Sequence, residues 1–161
     1  MFSPSSTEIG RTIFLLAYQS ENIPVIAESL YAEVSSSLQI DFDRFRNEYV
    51  FLRLFVADYA LDSAAITSPR LRGAREIYMD YIKRMAKDNP RAKELLSDIY
   101  VRFETYARAV NDYDHNGPAF AIAVAFLEVC GDTGRDKNSS AVIAVCLEFT
   151  AILQIVAHAL K

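Results

Sequence analysis

FDRFRNEYVFLRLFVADYALDSAA, residues 42–65, decides what kind of fold this chain adopts. Its apolar residues return every three or four positions, and Phe42, Phe45, Tyr49, Leu52, Val56 and Tyr59 line one side of a helical wheel. A strand would instead alternate apolar and polar residues with a period of two. A second side is also apolar: Val50, Phe51, Leu54 and Phe55 share it with Asp43, Asp58 and Asp62. Such a helix must be covered on both sides, by its own chain or by another protein.

The same spacing runs outward from this stretch in both directions, with no convincing alternating run, so the expectation is an all-α fold. Before it, Ser5 and Glu8 have capping-box spacing and open a helix over 6–19. Asn22 and Pro24 open a second over 23–38, with Ile26, Leu30, Val34 and Leu38 as its core stripe. After it, Ser68 and Pro69 start a helix to about residue 87, with Leu71, Ala74, Tyr78, Tyr81 and Met85 facing inward. Asn89 and Pro90 repeat the start signal for a helix carrying Leu95, Leu96, Ile99, Phe103, Tyr106 and Val110. PAFAIAVAFLEVC and AVIAVCLEFTAILQIVAHAL, joined by GDTGRDKNSS, form a hairpin far more apolar than the rest. The last segment is long enough to span a bilayer, but Glu148, Gln154 and His158 would each be costly in lipid, so it is expected as buried core, with no membrane involved. The architecture predicted for residues 1–161 is therefore one single-domain bundle of six to seven helices, with a long central third helix and an apolar C-terminal helical hairpin.

Composition agrees with a folded, cored domain. Of 161 residues, 52% are hydrophobic and only five are Gly and five Pro, which excludes disorder and low complexity. A formal net charge of −4 gives no general reason to expect nucleic acid. The charge is uneven: residues 70–93 hold eight basic against three acidic side chains, a basic face suited to an acidic protein partner. Cys130 and Cys146 lie far apart in apolar surroundings, as free thiols in a reducing compartment do. MFSPSSTEIGRTIF shows no basic leader followed by an apolar stretch, and the expected localisation is cytoplasmic.

DYDHNG, residues 112–117, is the one stretch that looks like a site. Asp112, Asp114, Asn116 and Gly117 match the first half of an EF-hand loop. The closing bidentate glutamate is missing, because its position is Ala123, and Pro118 occupies position 7. A turn at Asn116 and Gly117 followed by Pro118 in the first turn of a helix accounts for the same residues, leaving Asp112, Asp114 and Asn116 as weak cation ligands and no metal or cofactor expected. GDTGRDKNSS lacks the phosphate-loop spacing, and Asn138 or Ser139 serves as helix cap. Neither His115 nor His158 has the Glu-x-x-His spacing of di-iron bundles, and no Cys–His signature is present.

No acid, base or nucleophile signature emerges, so an enzyme is not the leading expectation. That expectation is a non-enzymatic helical interaction or regulatory module that self-associates as a homodimer through an apolar face such as Phe51, Leu54 and Phe55 or the Ala-lined hairpin. The alternative is a bundle that holds a small apolar or amphipathic ligand in an inter-helix pocket built from Glu48, Tyr49, Glu148 and His158.

Overall fold

The structure, a computed structural model, describes residues 3–112, 116–132 and 140–160. Among these residues there are seven α-helices and no strand: α1 (Ser6–Tyr18), α2 (Ile23–Val34), α3 (Phe42–Ala65), α4 (Pro69–Lys87), α5 (Ala92–Asp112), α6 (Pro118–Val129) and α7 (Ser140–Ala159). The fold is all-α.

Local chemistry sets most of the starts. The Ser5 side chain accepts from the Glu8 backbone while the Glu8 carboxylate accepts from the Ser5 backbone, the reciprocal box that opens α1. Asp41 caps α3 by accepting from Arg44 N–H, and Ser68 caps α4 by accepting from Leu71 N–H with Pro69 following. Gly117 stands before α6 with φ of 86°, a left-handed value that favours glycine, and Pro118 follows it. The expected turn and helix start at this corner are therefore present. Asp112 ends α5, exposed, while the weak cation ligand expected at Asp114 and the caps expected at Asn138 or Ser139 lie outside the described residues. Helix α2 stops four residues short of its expected end. Ser35–Ser37 tighten into a 3-10 turn, a frequent way for an α-helix to end, and Leu38 turns extended.

The bundle is organised around α3, which packs against all six other helices. This explains its two apolar sides: both are covered by the chain itself. Phe45, Tyr49, Leu52, Leu54, Val56 and Leu61 are fully buried. Here the expected interaction face needs correction. Phe51, Leu54 and Phe55 are 8%, 0% and 5% exposed, and they lie inside the molecule. The Leu54 carbonyl accepts from the Tyr78 hydroxyl of α4, and the Phe55 ring meets Phe103 and Tyr106 of α5 at 5.5 and 5.2 Å between centroids. Helices α4 and α5 supply the cover that the sequence pattern left open to a partner.

Candidate functional site

Three charged side chains of α3 are buried in this apolar setting: Glu48, Arg53 and Asp58, at 5%, 3% and 8% exposure. Their spacing is five residues each time, and at 3.6 residues per turn each step rotates by about 140°. The three charges therefore leave the helix in three directions, and each meets an opposite charge on a different helix. Glu48 takes a two-pronged contact from Arg102 of α5, Nε to Oε2 at 2.6 Å and Nη2 to Oε1 at 2.7 Å. Asp58 takes another from Arg75 of α4, at 2.7 and 2.9 Å, and the third Arg75 nitrogen donates to Asp62. Arg53 meets Glu148 of α7 at 3.4 Å.

Arg53 is the most connected of the three. Its Nε donates to the Ala17 carbonyl at 3.2 Å and its Nη2 to the Leu16 carbonyl at 2.8 Å, which satisfies orphan carbonyls in the last turn of α1. Its Nη1 donates to the Tyr49 hydroxyl at 3.0 Å, and that hydroxyl donates onward to Glu148. One guanidinium thus ties α1, α3 and α7 together. Burial is the main reason the Tyr49 phenol is pushed above its ordinary range, opposed by Arg53 and reinforced by Glu148. A phenol held neutral between a cation and a carboxylate is a structural donor, not a base.

The four side chains expected to line one pocket therefore separate. Tyr49 and Glu148 meet in the Arg53 network, Glu48 pairs with Arg102 on another side of α3, and His158 is exposed in the last turn of α7. Arg53 and Arg102 were missed by sequence reasoning. The available signal was the lone basic residue inside VFLRLFV, since a charge in an apolar run needs a buried partner. Among the described residues, no group of three or more His, Cys, Asp or Glu is placed to hold a metal ion. Burial raises both thiols, Cys130 and Cys146, above their ordinary value, which suppresses the reactive thiolate. On the basic face of residues 70–93, Arg75 is spent on Asp58, and Arg70 donates to the Pro4 carbonyl. Arg72, Arg84, Lys87, Arg91 and Lys93 remain exposed.

Two surface features remain. One is a cleft of about 650 Å3 between α3, the end of α4 and the start of α5, with Phe51 and Leu54 in its lining. The other is the outer side of α7, where Ile143, Leu147 and Ile155 are 56%, 67% and 40% exposed and Ala151 is exposed between them. No family model, characterised protein or solved structure matches this chain.

Proposed function

We propose that this chain is a non-enzymatic helical module that acts through protein contacts and pairs with a second copy of itself through the outer side of α7. The observation that carries this reading is the exposed stripe Ile143, Leu147, Ala151 and Ile155. Exposed apolar residues are unremarkable singly, but here they repeat every four positions on one helix. The residues exposed beside them, Thr150, Gln154 and His158, carry no carboxylate, lysine or arginine, so nothing on the stripe selects a charged partner. An uncharged stripe can face its own copy across a two-fold axis without repulsion. The small Ala151 lets two backbones approach, and ridges with four-residue spacing interlock at a crossing angle of about 50°.

By length and composition α7 would also span a membrane. Its Glu148, however, is tied to Arg53 and Tyr49 in the interior, and the helix packs on α1, α2, α3 and α6. Those ties favour a helix that stays in its bundle and uses only its outer side. The free thiols, both held protonated by burial, fit a reducing compartment such as the cytoplasm.

Sedimentation velocity of the intact chain over a wide concentration range tests the proposal. The wild-type chain sediments as a dimer, Leu147→Glu as a folded monomer with an unchanged helical spectrum, and Val101→Glu, at an exposed apolar position of α5, as a dimer. A wild-type chain that stays monomeric at the highest concentration, or two variants that behave alike, would overturn it.

A further inference from the structure

The cleft beside α3 lies between α3, which brings Arg44 and Glu48, and the facing stretch that brings Arg91, just before α5, and Glu94, Asp98 and Arg102 from its first half. The Glu48–Arg102 pair bridges the walls. Its two short contacts use Nε and Nη2 of Arg102, and Nη1 has no bonded partner among the described residues. Tyr18, Val50, Met85 and Leu95, all half-buried, supply an apolar surface, with Phe51 and Leu54 buried behind it. Set against it are four charged side chains, Arg44, Arg91, Glu94 and Asp98, and none of them has an opposite charge within 4.0 Å among the described residues. Two cations and two anions thus line one cleft without neutralising one another.

That arrangement narrows the chemistry that fits. A fatty anion would satisfy the arginines but meet Glu94 and Asp98, and a cationic amphiphile would meet the reverse conflict. The volume falls in the usual range of small-molecule sites, about 300–1,000 Å3. We propose that the cleft binds a small amphipathic zwitterion, an apolar body bearing an anionic group for Arg44 and Arg91 and a cationic group for Glu94 and Asp98. A short peptide of bulky apolar residues with free termini is the simplest such molecule. Its carboxylate accepts from guanidinium N–H groups, its ammonium donates to the two carboxylates of α5, and its side chains rest on the half-buried Val50, Met85 and Leu95.

The test is a protein-observed NMR titration of the full chain with the dipeptide Leu-Phe, with N-acetyl-Leu-Phe-amide and with decanoate. The dipeptide is expected to shift resonances of the cleft residues. The neutral amide and decanoate are expected to bind more weakly, by up to about fivefold for each ion pair lost, the upper value for an exposed pair. Arg44→Ala and Asp98→Asn, both at exposed positions, each weaken dipeptide binding by about the same factor and leave the fold intact. Equal binding of the neutral amide or of decanoate, shifts confined to residues outside the cleft, the absence of dipeptide binding, or variants that bind like the wild type would each overturn the assignment. None of these outcomes depends on whether the chain dimerises through α7.

Discussion

Arg53 reaches four acceptors on three helices, α1, α3 and α7. Arg53 is buried, so its desolvation is offset only by the acceptors around it: two carbonyls of α1, the Tyr49 hydroxyl and Glu148. Arg53→Met removes the cation, leaving Glu148 with only the Tyr49 hydroxyl as donor and both carbonyls without a side-chain donor, at a cost of about 3–5 kcal/mol in urea unfolding. Replacing both charges, Arg53→Met with Glu148→Leu, is expected to recover part of that loss, because an apolar pair leaves no uncompensated charge. A single variant within about 1 kcal/mol of wild type would show that the network does not hold the helices. Tyr106 is the opposite case, since its buried hydroxyl has no hydrogen-bond partner among the described residues. Tyr106→Phe therefore costs nothing and gains up to about 1 kcal/mol, while Tyr78→Phe, which loses a donor to the Leu54 carbonyl, costs about that much.

The same buried phenols are expected to lower stability at high pH. Burial, first among the causes in each case, raises Tyr49, Tyr78 and Tyr106 above the ordinary tyrosine range. Their folded values lie above their unfolded ones, so the stabilisation from keeping them neutral is fully present below about pH 10. As pH rises further the unfolded chain releases protons that the folded one retains, and stability falls by up to about 1.4 kcal/mol per pH unit for each phenol. Absorbance of phenolate during an alkaline titration should show exposed tyrosines ionising first and these three only as the helical signal collapses. Their ionisation with the helices intact would contradict the burial.

At the scale of the helix, what could be read in advance was local. The capping box at Ser5 and Glu8, Ser68 before Pro69, and the 3.6-residue period of 42–65 all act within a few residues, and each placed its element correctly. What covers a helix is not local. Phe51, Leu54 and Phe55 give the same pattern whether α4 and α5 or a second molecule lies over them, and Arg53 finds its carboxylate 95 residues away. The contact between α1 and α4, the most extensive in the bundle, shows the same limit. Gly10 looks like a weak point in α1, because alanine favours a helix interior by about 1 kcal/mol. In the fold, a Cβ there would lie 2.5 Å from the Ala74 carbonyl oxygen and 2.9 Å from Ile77 Cβ. Gly10→Ala should thus lose about 1–3 kcal/mol despite its better propensity, and lower the melting temperature by about 2–4 °C per kcal/mol. A melting temperature at or above wild type would mean that α1 and α4 are not packed this closely.

Taken as a whole, the molecule has α7 facing two ways at once. Glu148 turns inward to Arg53, while the neighbouring Leu147 is exposed. The inward tie holds the helix against α3, so the proposed association through the outer stripe would order few side chains further. Dimerisation through such a surface links to folding by mass action. Only the folded chain presents Ile143, Leu147 and Ile155 on one side of a helix, so raising protein concentration stabilises the folded state. The wild-type melting temperature should therefore climb with concentration, and Leu147→Glu should remove that dependence while the melting temperature at the lowest concentration stays near wild type, because an exposed carboxylate disturbs no core contact. A melting temperature in the wild type that is flat with concentration would separate the stripe from any self-association. An equal loss at all concentrations in Leu147→Glu would instead place Leu147 in the monomer's own packing.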